Sequence, residues 1–304
     1  MTAGTRLMLG AAIVAATGLG APLSARTVTP GEERAAAIFD EVAGNEARLR
    51  VFLQAMPKGG DLHNHLSGAV YAEDFLARAA ALGLCFDEAS QAIAEPPCAP
   101  GTEIAGTASA DPFRYAEMVD ALSTRAWRQG VGANDATGHR RFFGSFDRFG
   151  VVASEMRGES LALARRYAAA DHVLYLELFH SEPAVIETAL AAPGGDLAPE
   201  DFAGAFAEIR PTLPALMEQA SKELDADEAT ARQELGCDTD MADAGCEVAV
   251  RYNGFALRGF SPLTVFRTLA HGFAFAAHDP RVLGMSIVAP EDDPVALADY
   301  DLHM

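Results

Sequence analysis

Lysine is nearly missing from this chain: Lys58 and Lys222 are the only two in 304 residues, and 23 basic side chains face 43 acidic ones, for a formal net charge of −20 at pH 7. Phosphate backbones are bound by basic faces, so this balance excludes nucleic acid as a partner. The acidity bears on solubility more than on substrate choice. Long hydrophobic runs are missing too. The apolar run from Leu7 to Ala21 falls short of the roughly 20 residues of a membrane span. With Arg6 before it and Pro22-Leu23-Ser24-Ala25 after it, it carries the charged, apolar and small-residue zones of a secretory signal peptide. Residues 1–25 are therefore expected to be removed, leaving residues 26–304 as a secreted or periplasmic chain with no stable membrane span. Cysteine is scarce as well. The four, Cys85, Cys98, Cys237 and Cys246, show no Cys-x-x-Cys spacing, which argues against a structural zinc knuckle. In an oxidising compartment they are expected to form disulfides. Four cysteines allow three pairings, and proximity favours Cys85 with Cys98 and Cys237 with Cys246.

What is present begins with Met56-Pro57-Lys58-Gly59-Gly60-Asp61-Leu62-His63-Asn64-His65-Leu66-Ser67-Gly68-Ala69. Side chains alternate along a strand, so Asp61, His63 and His65 are expected on one face and Leu62, Asn64 and Leu66 on the other. Two imidazoles on one face suit a single metal ion, although a catalytic zinc usually has three or more protein ligands plus water. Pro57 and Gly59-Gly60 mark the turn into the strand, and Gly68 the turn out of it. The histidines therefore fall at the strand's C-terminal end, where parallel barrels keep their active sites.

Hydrophobic periodicity lays out the rest. A helix is expected from Pro30 to Gln54, a first strand near residues 60–66 and a helix over residues 72–82. A disulfide-pinned insertion spans residues 85–111, and helices follow over residues 113–127 and 151–170. The second strand is His172 to Phe179, apolar enough to be covered on both faces. Helices over residues 199–209 and 211–235, a strand over residues 247–257, a helix from Ser261-Pro262 to about Ala277, a strand over residues 282–289 and a helix from Val295 complete the order. This alternation suits parallel pairing by crossovers. Only about the first four units of a (β/α)8 barrel are present, which leaves strand edges unpaired.

Residues 56–69 resemble the first-strand motif of the adenosine deaminases, especially their secreted, growth-factor-related branch. Phe142-Phe143-Gly144-Ser145-Phe146-Asp147-Arg148-Phe149 resembles that family's aromatic helix over the substrate pocket, Tyr175-Leu176-Glu177-Leu178 its second strand, and Ile287-Val288-Ala289-Pro290-Glu291-Asp292 the end of its fourth. The resemblance runs from about Gln54 to Met304. It implies the α/β fold of a (β/α)8 TIM barrel of the metal-dependent hydrolase type. It also implies Zn2+ as cofactor and a purine nucleoside as substrate, deaminated by a hydroxide that the metal makes available at neutral pH. His63 and His65 map onto zinc ligands, and His65, Ser67, Gly68, Phe142, Phe146 and Ala289 onto substrate contacts. The family's further histidine ligand, its glutamate proton donor and its aspartate ligand come from later strands that this sequence does not contain, so no catalytic proton donor is assigned and the chain alone is expected to be inactive.

Two residues depart from the pattern. Ser67 stands where many members carry aspartate, and Ala289 where others carry glycine. They leave open a hydrolase of a different aminated purine, and a secreted, non-catalytic nucleoside-binding protein also remains open. The Phe142, Phe143, Phe146 and Phe149 spacing fits a core stripe as well as a substrate lid. Glu291 and Asp292 are as suited to capping a helix as to polarising a ligand, and Glu177, on an apolar strand, is expected to need an ion pair with an arginine such as Arg251. Of the other histidines, only His180, just past the second strand, faces the region of the site; His139, His172, His271, His278 and His303 are expected to be structural.

Overall fold

The computed structural model describes residues 28–125, 127 and 137–303; the signal peptide expected over residues 1–25 lies outside them. The chain divides into two compact units, Met1–Leu53 and Gln54–Met304. The single helix expected from Pro30 is in fact two, α1 (Pro30–Val42) and α2 (Glu46–Ala55). Gly44 interrupts the run, and the Asn45 side chain restarts it by accepting the Arg48 amide at 3.1 Å. Thr29 and Glu32 form a capping box at the start of α1.

The second unit is mixed α/β. Its main sheet has four parallel strands, β1 (Gly59–His65), β4 (Val173–Phe179), β5 (Ala249–Leu257) and β6 (Val282–Val288), each hydrogen-bonded to its predecessor in chain order. Between β1 and β4 come α3 (Ala72–Ala81), an antiparallel hairpin of β2 (Cys85–Asp87) and β3 (Ala92–Ala94), α4 (Thr107–Ala110), α5 (Pro112–Ala121), α6 (Gly138–Glu155) and α7 (Arg157–Ala170). The segment expected as an irregular insertion thus folds back on itself, with Cys85 bonded to Cys98 across the hairpin. After β4 come α8 (Pro183–Ala191), α9 (Phe202–Ile209) and α10 (Leu213–Glu234), after β5 comes α11 (Pro262–His278), and α12 (Pro294–Ala298) and α13 (Tyr300–His303) follow β6. Cys237 and Cys246 are bonded between α10 and β5.

One face of the sheet carries the larger core, where Leu176, Leu178 and Tyr252 pack with Leu161 of α7, Leu224 of α10 and Phe275 of α11. A second core gathers Phe75, Leu76, Met118, Phe149 and Val152 from α3, α5 and α6 around Phe86 and Ile93 of the hairpin. Contrary to the expectation from its apolar run, β4 is not fully covered on both faces: Leu176 and Leu178 are buried on one face, while Val173, Tyr175 and Glu177 on the other are only half-buried. Burial in β5 alternates in the same sense, with Tyr252, Gly254 and Ala256 inside. Among the described residues β1 and β6 are the edges of this sheet. No helix of the described residues is long and apolar enough to cross a membrane.

Candidate active site

The C-terminal ends of the strands open into a cleft of about 670 Å³ lined by His63, Asn64, His65 and Gly68 from the β1 end, His139, Phe142, Phe143 and Phe146 from α6, Arg258, and residues 286–289, 291 and 292 after or within β6. A second cavity of about 1050 Å³ shares His65, His139, the three phenylalanines and Ala289, and adds Ser67, Phe179, Phe255 and Phe260. The two histidines of the opening motif therefore do meet at one wall. Their ring centroids are 5.7 Å apart, and both lie against Phe179 at the end of β4, at 4.6 Å from His63 and 4.9 Å from His65, the latter stacked. Burial, and then the neighbouring His63, hold the His65 imidazole below its ordinary pKa, which keeps it in the neutral form that ligates a metal.

The expected alternation breaks at one point. Asp61 pairs with Leu176 and Asn64 with Leu178, so three steps along β1 match two along β4. This bulge takes Asp61 away from the histidines. Its carboxylate accepts the His63 amide at 3.2 Å and the Asn64 side chain at 2.8 Å, and Asn64 rather than Asp61 joins the cleft wall. Lys58 holds the entry to the strand by donating to the Asp171 carbonyl at the end of α7, 2.7 Å away.

The phenylalanine stripe divides its labour. Phe149 is buried and stacks on Phe75 at 4.6 Å, whereas Phe142, Phe143 and Phe146 line the cleft, with Phe146 edge-on to His65 at 5.9 Å. Gly68 sits under this contact, and a methyl group there would meet the Phe146 ring at 3.5 Å. Ser67 opens a short 3-10 turn at the cavity edge. Ala289, just after β6, has φ +86°, a left-handed conformation that favours glycine.

No protein-family model matches the chain, and no curated protein matches it.

Further residues depart from expectation. His139 is part of the cleft and not merely structural: it lies in the first turn of α6 and its Nε2 is 2.9 Å from Asp292 Oδ1 across the opening. Asp292 and Glu291 do not cap the following helix; Asp293 does, through the Val295 amide, while Glu291 is 3.4 Å from Arg258. Glu177 makes no ion pair with Arg251. The two are in register, but Glu177 accepts the Tyr175 hydroxyl at 2.9 Å and the Asn253 side chain at 3.3 Å, and Arg251 donates to a backbone carbonyl. A polar hydrogen-bonded row on the open face satisfies the carboxylate instead.

His180 belongs to a different group. With Glu182 and Asp227 it forms a cluster whose donor atoms lie within 4.8 Å of one another and are able to hold a metal ion. Burial opposes charge on His180, yet Glu182 and Asp227 outweigh it and raise its pKa to about 9. Sequence reading missed the cluster because Asp227 arrives from α10, 47 residues away.

Proposed function

We propose that the cleft is part of the active site of a zinc-dependent hydrolase of the adenosine deaminase type, and that the four-stranded sheet is the first half of a (β/α)8 barrel. The observation that carries this reading is the placement of His63 and His65 side by side at the C-terminal end of β1, beneath an aromatic helix and above a cleft large enough for a nucleoside. The donor set fits zinc: two imidazoles, one kept neutral by burial. When bound, zinc would supply a water acidified to near-neutral pKa as the nucleophile for the carbon that carries the leaving amine. The chain's own contribution is positioning. Phe179 fixes both imidazole planes, Phe142 and Phe146 offer rings on which a purine stacks, and Arg258 and Ser286 supply polar groups to the cleft wall.

Two imidazoles fall short of the ligand number of a catalytic zinc, and His139, the other cleft-lining histidine, is engaged by Asp292. This supports zinc binding without efficient turnover by the present chain, and deamination of adenosine or a related aminopurine nucleoside by a protein that carries the remaining ligands and a proton donor. Ala289 favours a narrower preference, because it lines the cavity where glycine would leave more room, so a purine base or a differently substituted purine is the second reading.

Ammonia release from adenosine and a panel of aminopurines, measured with zinc on this chain and on a version extended with a complementary second half of the barrel, tests the proposal. Activity is expected from the extended protein and is abolished by His63→Ala. An extended protein that binds zinc through other residues and releases no ammonia from any aminopurine would overturn it. Calorimetry separates a purely binding role: saturable nucleoside binding with no turnover in the extended protein favours a non-catalytic carrier.

A further inference from the structure

His180 follows β4, Glu182 precedes α8, and Asp227 lies in the middle of α10. We propose that these three side chains bind a first-row divalent cation, of which zinc is the probe, as a structural tie between β4, α8 and α10. This site is distinct from the histidine pair of the cleft and does not depend on the deaminase reading.

The distances within the cluster match coordination. His180 Nε2 lies 3.3 Å from Glu182 Oε1 and 3.3 Å from Asp227 Oδ2. Charge-assisted hydrogen bonds between such groups are shorter, about 2.7–2.9 Å. Ligand atoms at about 2.1 Å from a tetrahedral cation are separated by about 3.4 Å. The nitrogen thus stands at coordination spacing from both oxygens.

Glu182 also holds an unused acceptor. Glu182 is 2% exposed, and its Oε2 is buried with no hydrogen-bond partner. A carboxylate oxygen desolvated in that way is costly unless something positive meets it. A void of about 10 Å³ lies beside Glu182 and His180, its other walls being largely apolar, Val185, Phe275, Val282 and Met285 among them, so it supplies the carboxylate no partner.

Charge around the cluster is unbalanced as well. Asp227 is held by Arg157 Nε at 2.9 Å, and both Glu182 and Glu223 also act on that guanidinium. Three carboxylates against one arginine leave two negative charges when His180 is neutral. A divalent cation cancels both, taking the place of the proton that Nε2 otherwise holds and releasing it to solvent. Arg157 then serves as the outer partner that orients Asp227. One nitrogen and two carboxylates select a first-row ion over magnesium or calcium, which prefer all-oxygen shells. Arg157 and His180 also line an open cleft of about 420 Å³, which gives the ion a way in.

The test uses the full chain carrying His63→Ala and His65→Ala, stripped with a chelator and titrated with Co2+ and Zn2+ at neutral pH. One equivalent of Co2+ is expected to bind with visible d–d absorption, and Zn2+ is expected to raise the midpoint of thermal unfolding. Adding Glu182→Gln, which keeps the side-chain shape, is expected to weaken Kd by about tenfold or more and to remove the zinc-dependent rise. Circular dichroism confirms that this variant is folded; should it not fold, His180→Asn on the same background is expected to show the same loss of binding, and unchanged binding there overturns the proposal. A folded His63/His65 double variant that binds no Co2+, or a Glu182→Gln variant that binds it unchanged, would overturn the proposal. Failure of the cleft histidines to bind zinc leaves this result untouched, because they are absent from the protein tested.

Discussion

Ala289 is where the cleft stores backbone strain. Its φ of +86° costs a side-chain-bearing residue about 1–2 kcal/mol, whereas glycine adopts it freely but loses about 0.4–1 kcal/mol through the unfolded chain. Ala289→Gly is therefore expected to be neutral to stabilising by up to about 1 kcal/mol in urea unfolding, an unusual direction for a glycine substitution. A loss of more than about 1 kcal/mol would show that the methyl group packs usefully. The histidine pair was legible at this scale because a strand period of two brings His63 and His65 to one side. The role of Asp61 was not legible, since the bulge that turns it toward Asn64 depends on pairing with β4, 115 residues on in the register from Asp61 to Leu176. His139 escaped for a similar reason: its partner Asp292 is 153 positions away.

Helix packing around the sheet is set by a few close approaches. A Cβ at Gly158 would lie 2.5 Å from Thr230 Cβ and 2.9 Å from the Asp227 carbonyl oxygen, so α7 and α10 touch there through backbone. Gly158→Ala is expected to cost about 1–3 kcal/mol by overpacking, read as a lower denaturant midpoint at unchanged slope. The link from α11 to β6 is held by charge. Hydrogen bonds from Arg281 outweigh burial and lower the Asp279 pKa to about 2, with Ser221 of α10 donating to the same carboxylate. A carboxyl group depressed from an ordinary 3.8 stabilises the fold above that pH and loses the contribution as pH falls through about 2. Acid unfolding of wild type and Asp279→Asn should therefore differ by on the order of 2 kcal/mol near neutrality and converge below about pH 2. Curves that stay apart at the acid end would contradict this. The order of strands and main helices was readable from periodicity and caps, such as Ser261-Pro262 before α11. What periodicity could not give was the split of the helical run over residues 30–54 and the break between α6 and α7 at Met156, nor did it give α8, whose nine residues are nearly all apolar and carry little amphipathic signal.

At the scale of the molecule, two disulfides pin short loops, and the parallel sheet carries the cleft at the C-terminal ends of its strands. The bonds Cys85–Cys98 and Cys237–Cys246 have sequence separations of 13 and 9, and closing loops of that size restricts the unfolded chain by about 3 kcal/mol each. Both are compatible with an extracellular protein. Reduction is expected to lower the thermal midpoint clearly, and Cys85→Ala/Cys98→Ala is expected to loosen the second core around Phe86 and Ile93 before it affects the sheet, as hydrogen exchange would resolve. Uniform loss of protection would contradict that division. The half-open face of the sheet and its edges at β1 and β6 agree with the sequence count of about four strand–helix units, while the closed barrel remains part of the functional proposal.

A metal site in the cleft requires His63 and His65 to act together as ligands. Nitrogen-15 NMR of the histidine side chains of the full chain, titrated with zinc at neutral pH, tests this most directly. Both imidazoles are expected to shift in concert and saturate at the same zinc concentration. If both resonances stay unmoved while the protein remains folded, the cleft is not a metal site.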